Sequence, residues 1–197
     1  MLDIPHKVVH TPISLSLGLK KYMKFKPNTL ETVHEPKRIL GNQGEKLIKH
    51  FESCELEAYW DTIGKVWTIG FGNTFYEAGS PVKKGDIITQ ERADELFWNI
   101  VKMFSVGVEE EVQGLDLSQN ELDPLISFAY NVGLDAFKDS TLLEVIKNDK
   151  HNYSKIEYQW LRWRYSKGKF VQGLLNRRKA AYHLYRFGDQ CYQHNIQ

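Results

Sequence analysis

The sequence predicts an α+β domain that is dominated by helix, on three observations. Apolar residues recur at helical spacing from Asn42, two short β-prone runs follow, and amphipathic helical runs fill the chain from about Gln90. One helix, a small sheet and then a series of helices is an α+β order, because an α/β chain would alternate strands with helices. The first helix is expected to reach Phe51 or Glu52. Its buried face is expected to carry Leu47, Ile48 and Phe51.

A hairpin and a long helix are expected next. The β-prone runs are Ala58 to Trp60 and Val66 to Phe71, and Gly64 between them marks a turn. The long helix begins at about Gln90 with Thr89 as its N-cap, because a threonine hydroxyl can accept a bond from an unpaired first-turn amide. Its apolar stripe comprises Ala93, Leu96, Phe97, Ile100, Val101 and Phe104.

Three capping boxes predict the starts of later helices. In this motif a Ser or Thr side chain accepts from a first-turn amide, and a Glu three residues later bonds back. The pairs are Ser118 with Glu121, Thr141 with Glu144, and Ser154 with Glu157. Pro124 conflicts with a helix from Ser118, because an interior proline removes a backbone hydrogen bond at a cost of ~3 kcal/mol. Either that helix kinks at Pro124, or it starts there with Asp123 as its cap.

The chain divides into an N-terminal extension, a folded domain and a short tail. Residues 1–40 hold four of the six prolines and no sustained periodicity, so we expect them to be extended or partly ordered. They carry seven basic and three acidic residues, a net charge of +4 against −3 for residues 41–197. This basic arm is either a solvated segment or a docking element. The folded domain is expected over residues 41–190, with a last helix from about Val171 to Phe187 and a tail of residues 191–197.

Composition excludes several classes of protein. A chain of 197 residues, 42% of them hydrophobic, can form a sizeable core without disulfides. Its net charge of +1 gives no electrostatic case for a nucleic-acid-binding protein. No stretch approaches the ~18 apolar residues that a membrane span needs. Asp3 and Pro5 stand where a signal peptide carries its basic segment, so we expect no signal peptide.

No metal site or cofactor is expected. Cys54 and Cys191 lie far apart and neither belongs to a C-x-x-C pair, so they are expected to be free thiols. His6 and His10 have the spacing of two ligands on one helix face. Two prolines in the same segment disfavour that helix, and with it a metal site.

Two carboxylates in one segment carry the candidate chemistry. Glu52 stands at the predicted end of the first helix, and Asp61 follows nine positions later in the hairpin. Glycoside cleavage needs one protonated and one ionised carboxyl group across a cleft. Thr68 adds a hydroxyl on the strand that leads to Gly70 and Gly72, where missing side chains let a substrate approach the backbone. Spacing alone does not separate this pair from two surface acids.

The segment that begins at Glu52 resembles the signature of a known family. ESCELEAYWDTIGKVWTIGFGNT is similar to that of the phage-type lysozymes, glycoside hydrolase family 24, in which a Glu, eight residues, an Asp, a short turn and a Thr open the motif WTIGxG. Further segments resemble the same family, namely PVKKGDIITQERADELF, LSQNELDPLISFAYNVG, FKDSTLLEVI and KGKFVQGLLNRRKAAYHLY. The resemblance covers about residues 41–187 and leaves residues 1–40 outside.

The resemblance implies a lysozyme-like fold, in which a small sheet lobe faces a helical lobe across a sugar-binding cleft. It also implies a muramidase that cuts the β-1,4 bond between N-acetylmuramic acid and N-acetylglucosamine in peptidoglycan without a cofactor. By the same resemblance Glu52 is the general acid, Asp61 positions or activates water and supports oxocarbenium charge, and Thr68 helps to hold the water. The residues expected to contact substrate are Tyr59, Gly70, Gly72, Asn73, Tyr130, Asn131 and Arg177.

Three positions depart from the family pattern. Six residues lie between Asp61 and Thr68, where the family most often has five, and an extra residue inside a strand would turn every later side chain to the other face. We expect the turn Thr62–Lys65 to absorb it. Asn73 stands where the family often has a His, so the salt bridge of that His is not expected. Pro124 is the third departure and concerns packing.

Other residues admit a structural and a functional interpretation. Trp160 and Trp163 lie three apart on a predicted helix, and this spacing favours core packing over sugar stacking. Arg177 and Arg178 stand at the family's basic pair and either meet anionic groups of the cell wall or are solvated helix charges. Gly133 is expected to end the central helix, which Tyr130 and Asn131 close against the floor of the cleft.

Three biological interpretations remain open. An endolysin would accumulate in the host cytoplasm and reach the wall through a holin-dependent route. A virion-associated lysin would dock on a phage protein through residues 1–40. A catalytically inactive lysozyme-like binding or structural module is the alternative of another class, and the presence of Glu52, Asp61 and Thr68 together speaks against it. In each case a monomer is expected.

Overall fold

The computed structural model describes residues 38–62, 64–77 and 79–188. Within these ranges α1 (Asn42–Phe51) precedes a hairpin of β1 (Glu55–Asp61) and β2 (Val66–Gly70). The later elements are α2 (Gln90–Glu111), α3 (Gln119–Val132), α4 (Leu134–Lys138), α5 (Thr141–Asn148), α6 (Tyr153–Arg162), β3 (Tyr165–Ser166), β4 (Lys169–Phe170) and α7 (Gln172–Phe187). The predicted α+β class, with helix dominant, is confirmed.

The hairpin turn accommodates the additional residue between Asp61 and Thr68. The cross-strand pairs next to the turn are Asp61 with Val66, Trp60 with Trp67 and Tyr59 with Thr68. The turn closes through Lys65, which has a φ of 54° and whose N–H donates to Asp61 O at 2.7 Å. Because β2 pairs regularly from Val66 to Thr68, and the register shifts only between Tyr59 and Glu55, Thr68 shares a face with Tyr59 and Asp61. The prediction that the turn preserves the alternation of β2 is confirmed.

The main hydrophobic core lies among the helices, with α3 running through it. Every residue from Glu121 to Asn131 of this helix is buried. Helices α1, α2 and α7 pack around α3, and α2 also contacts β2, so this long helix joins the sheet to the helical part. Trp160 is completely buried, which confirms core packing, and half-buried Trp163 meets Phe128 edge to face at 5.2 Å between ring centroids.

Helix α3 begins at its capping box and continues through Pro124. Ser118 Oγ accepts from Glu121 N at 3.3 Å, and Glu121 Oε2 accepts from Ser118 N at 2.7 Å. A start at Pro124 with Asp123 as the cap is therefore wrong. Pro124 has no backbone N–H, so one carbonyl in the first turns of α3 loses its helical hydrogen bond. The capping box and the burial of the next two turns stabilise the helix. At the other end Gly133 has a φ of 91°, so the predicted stop is confirmed.

Two of the three predicted capping boxes are wrong by one or two residues. Ser140, and not Thr141, caps α5, since its Oγ accepts from Leu143 N at 3.1 Å. Asn152, and not Ser154, caps α6. Asparagine and serine are equally strong caps, so adjacent polar residues compete for this position and local sequence does not decide between them. The predicted cap Thr89 is confirmed by its bond from Arg92 N at 3.2 Å.

Several predictions concern residues outside the described ranges. The N-terminal extension up to residue 37, the tail, the histidines His6 and His10, and Cys191 all lie there. Leu40, counted with the extension, is 3% exposed in the main core. None of the helices in the described ranges has the length and apolar character that a membrane span requires.

Candidate active site

Glu52 stands at the C-terminal end of α1, where the backbone turns extended (φ −107°, ψ 122°) and its amide still donates to Ile48 O. The other end of α1 is fixed by Asp123 of α3. Its Oδ1 accepts from Gly41 N at 2.8 Å and its Oδ2 from Gly44 N at 2.9 Å. Gly41 has no side chain with which to cap the helix, so a buried carboxylate from a neighbouring helix does so. Helix α1 is thereby anchored at one end and presents Glu52 at the other.

Arg177 of α7 holds the Glu52 carboxylate. Its Nη1 donates to Glu52 Oε1, and the two side chains are 5% and 10% exposed. The guanidinium also lies 5.9 Å from the centroid of the Phe51 ring. Its Nε and Nη2 are buried and have no hydrogen-bond partner among the described residues. Arg177 therefore binds the candidate acid with one donor and keeps two further donors at the site.

Arg178 is buried behind this ion pair. It is 1% exposed, its Nε donates to Trp163 O at 3.0 Å, and its Nη2 donates to Asn131 Oδ1. Arg177 itself is 4% exposed. The interpretation of these two arginines as solvated helix charges is wrong, because α7 turns this part of its surface toward α3 and the end of α1. For Arg178, contact with the cell wall is excluded by the same burial.

Tyr130 connects the central helix to the segment after β2. Its O–H donates to Phe71 O at 2.7 Å, and the ring is completely buried. Burial raises the pKa of Tyr130 well above its ordinary value, and the nearby Glu52 carboxylate raises it further. The hydroxyl therefore remains a donor at neutral pH and ties the backbone of the sheet lobe to α3.

The hairpin contributes a second carboxylate on the face of Tyr59. Asp61 is 7% exposed, and its carboxylate lies so close to Gly64 that a Cβ at that position would approach Oδ2 to 2.4 Å. Burial, followed by the charges of Asp61 and Glu52, raises the pKa of Tyr59 to about 12. Both carboxylates thus act on one phenol, which places them in a common electrostatic environment.

Thr68 lies opposite Tyr59 on β2 and is 1% exposed. Its hydroxyl donates to Val66 O at 3.5 Å, which is the outer limit for a hydrogen bond. The hydroxyl is thus buried on the Asp61 face without a strong competing partner in the described structure.

The glycine turn after β2 positions Asn73. Gly70 and Gly72 have φ values of 60° and 96°, and Ile69 and Asn73 exchange backbone bonds of 2.9 and 2.8 Å across the turn. A side chain at either glycine would be strained in this left-handed conformation. Asn73 Nδ2 donates to Leu96 O at 3.4 Å, so this residue links the turn to α2 by a neutral hydrogen bond.

Glu52 is ion-paired with Arg177, its charge also acts on Tyr130 and Tyr59, and the charge of Asp61 acts on Tyr59 as well. The second strand and the turn after it contribute Thr68, Gly70, Gly72 and Asn73. Asn131 accepts a hydrogen bond from Arg178. Sequence reasoning missed Arg178 as a buried support and Asp123 as the anchor of α1.

No group of three or more His, Cys, Asp or Glu side chains in the described part of the chain could hold a metal ion. Two carboxyl groups and a hydroxyl are the groups available for chemistry.

Comparison with protein-family models shows to which family this chain belongs. The model of the phage lysozyme family matches residues 49–181. This chain belongs to that family. The match spans the whole site, from the residues before Glu52 to those after Arg178.

Individual relatives agree with the family. The chain is 37% identical over 150 residues to an endolysin of Bacillus phage PZA and 32% identical over 145 residues to an endolysin of Acyrthosiphon pisum secondary endosymbiont phage 1. The matches cover 76% and 72% of this chain, and 55% and 93% of those endolysins. The chain thus spans about half the length of the Bacillus phage endolysin.

Solved structures show the same fold. An endolysin from Escherichia coli O157:H7 phage FAHEc1 superimposes with a TM-score of 0.69 at 34% identity, covering 79% of this chain and 98% of that one. The muramidase domain of SpmX from Asticaccaulis excentricus gives a TM-score of 0.65 at 26% identity, covering 75% and 97% of the two chains. The lysozyme-like fold expected from the sequence is confirmed.

Proposed function

We propose that this chain is an N-acetylmuramidase that hydrolyses the β-1,4 bond between N-acetylmuramic acid and N-acetylglucosamine in peptidoglycan. The observation that carries the proposal is the placement of Glu52, a side chain 10% exposed at the end of α1, beside Arg177 and directly before the hairpin that carries Asp61 and Thr68 on one face. Membership of the phage lysozyme family and the names of the relatives, endolysin and muramidase domain, support this substrate class.

In the proposed mechanism Glu52 donates a proton to the glycosidic oxygen. As the bond between that oxygen and the anomeric carbon breaks, Asp61 stabilises the positive charge on the sugar ring, positions water at the anomeric carbon and accepts the proton that the water loses. Thr68, on the same face of the hairpin, holds that water with its hydroxyl. A positioned general acid contributes about 10²- to 10⁴-fold in rate, and electrostatic stabilisation by Asp61 adds to it. No step requires a metal ion or cofactor.

The residues proposed to take part in substrate binding lie on the hairpin, on the glycine turn after β2, and on helices α3 and α7. Tyr59 shares a face of the hairpin with Asp61 and Thr68, and Gly70 and Gly72 leave the backbone accessible to a sugar. For Arg177 the proposed part in binding runs through Glu52, whose carboxylate it holds, because its Nε and Nη2 are themselves buried. For Tyr130 and Asn131 the proposed part in binding is indirect, since both side chains are buried and bonded to other parts of the protein.

The products test this proposal. Peptidoglycan sacculi digested with the protein and reduced with borohydride should yield fragments ending in muramitol, identified by mass spectrometry. Fragments ending in reduced glucosamine would show a glucosaminidase, and 1,6-anhydromuramic ends would show a transglycosylase. Absence of any product would favour an inactive binding module. Glu110→Gln, which removes an exposed carboxylate of α2, is the matched control for Glu52→Gln.

The biological context proposed is host lysis by an endolysin that reaches the wall from the host cytoplasm. Relatives named endolysin and SAR-endolysin support release of a lytic enzyme. A virion-associated lysin docked through residues 1–40 is the competing context. Mass spectrometry of purified phage particles distinguishes them, because only a virion-associated lysin would be found at stoichiometric levels in the particle.

A further inference from the structure

We infer that Arg178 is a positioning residue for the proposed hydrolysis: fixed by Asn131 and the Trp163 carbonyl, it sets the place of Arg177, and through Arg177 that of Glu52. The inference rests on the proposed function and adds to it a residue that touches neither the substrate nor the reacting atoms.

Arg178 is held on two edges and one face. Its Nε donates to Trp163 O at 3.0 Å, its Nη2 donates to Asn131 Oδ1, and its guanidinium carbon lies 5.0 Å from the centroid of the Phe128 ring. Asn131 and Phe128 belong to α3, and Trp163 is the C-cap residue of α6. A planar guanidinium with two directed bonds and a ring contact has one orientation. Arg178 thus fixes α7 relative to both neighbouring helices.

Arg177 has few other constraints. Of its donors only Nη1 has a partner in the described structure, and that partner is Glu52. Val171, the N-cap residue of α7, makes no side-chain capping bond. Because Arg178 adjoins Arg177 on this helix, fixing Arg178 sets the axial position and rotation from which Arg177 reaches Glu52.

Stability alone does not account for an arginine at position 178. Its two hydrogen-bond acceptors are neutral oxygens, its neighbour Arg177 carries the same charge, and it is 1% exposed. Burial and then the Arg177 charge lower the pKa of Arg178, while the Glu52 carboxylate raises it. Replacing such buried ionic groups by apolar ones of similar volume is often neutral or stabilising. A cation retained here is explained by the orientation that its directed bonds impose.

The test is a double-mutant cycle in kcat. Arg178→Met should lower kcat on soluble peptidoglycan fragments by about 10-fold, since small misplacements of catalytic groups cost one to two orders of magnitude, and should leave KM within about 2-fold. Arg178→Lys, which keeps the charge but cannot serve both acceptors, should recover part of the loss. In an Arg177→Gln background the same Arg178→Met change should have no further effect on kcat.

The control is Lys179→Met, which removes an exposed charge at the next position of α7 and should leave kcat and KM unchanged. All rates are measured per folded protein, with the folded fraction taken from circular dichroism. Should Arg178→Met fail to fold, Asn131→Ala tests the same link from α3. Wild-type kcat in either variant, or losses that multiply in the double variant, would overturn the inference. A wild-type protein without activity would instead contradict the proposed function.

Discussion

Arg177 Nη1 donates to Glu52 Oε1 in an ion pair that joins residues 125 positions apart and connects α7 to the end of α1. The side chains are 5% and 10% exposed, so both charges are largely removed from water. The candidate acid is therefore oriented by a tertiary contact between α7 and the end of α1.

Arg177→Met should destabilise the fold. The substitution leaves the Glu52 carboxylate buried without its cation, and breaking a buried pair from one side costs about 3–5 kcal/mol. Urea unfolding followed by circular dichroism measures the loss. Glu52→Gln combined with Arg177→Met should recover much of it, since no unpaired charge then remains. An unchanged urea midpoint in Arg177→Met would show that the pair is solvated in the folded protein.

Asp123→Ala should destabilise the fold through α1. The substitution removes the acceptor of Gly41 N and Gly44 N at the start of the helix. Loss of a helix cap costs roughly 1 kcal/mol, and buried amides left without partners cost about 1–3 kcal/mol. Asp123→Asn, which keeps one oxygen, should lose less. Thermal unfolding of the three proteins gives the order, and equal stability of Asp123→Ala and wild type would contradict the anchoring role.

Gly64→Ala should lower activity more than stability. A Cβ at this position would meet Asp61 Oδ2 at 2.4 Å, so the carboxylate has to move away from its observed place. Gly173→Ala is the matched control, because a Cβ there meets nothing within 4 Å and a helical alanine should stabilise by about 0.5–1 kcal/mol. The measurement is kcat on peptidoglycan fragments together with the unfolding temperature. Full activity of Gly64→Ala would show that the exact place of Asp61 is unimportant.

Thr68→Ala should reduce kcat by roughly 10- to 100-fold, which is less than the loss of a general acid. Its hydroxyl has only a 3.5 Å contact to Val66 O, so removing it breaks no strong structural bond. Thr68→Ser keeps the hydroxyl and should retain most activity. Steady-state kinetics of both variants provide the test, and wild-type kcat in Thr68→Ala would remove Thr68 from the mechanism.

The hairpin and its chemistry could be predicted from sequence because the determinants are local. The β-prone runs, the turn at Gly64 and the spacing of Glu52, Asp61 and Thr68 lie within 17 residues. The alternation of side chains along β2 also predicts that Thr68 lies on the same face as Val66, and the observed strand pairing agrees.

The support of the site could not be predicted because its partners are distant in sequence. Arg177 lies on an amphipathic helix whose charged residues are usually solvated, and only the packing of α7 against α1 and α3 buries it. The same holds for Asp123, whose partners Gly41 and Gly44 are about 80 positions away. The wrong caps at Thr141 and Ser154 have a local cause, since a neighbouring serine or asparagine satisfied the same rule.

The measurement that tests the central claim most directly is the peptidoglycan-clearing activity of Glu52→Gln beside wild type and the control Glu110→Gln. The glutamine amide can still accept from Arg177 but cannot donate an acidic proton, and it leaves the buried Arg177 cation without its anion. We therefore predict a folded protein that unfolds at a lower urea concentration than wild type. Its turbidity-clearing rate should fall by about 10²- to 10⁴-fold, the usual contribution of general acid catalysis, while Glu110→Gln clears as fast as wild type. A folded Glu52→Gln protein that clears at more than a few per cent of the wild-type rate, against the ~1% or less expected, would contradict the account.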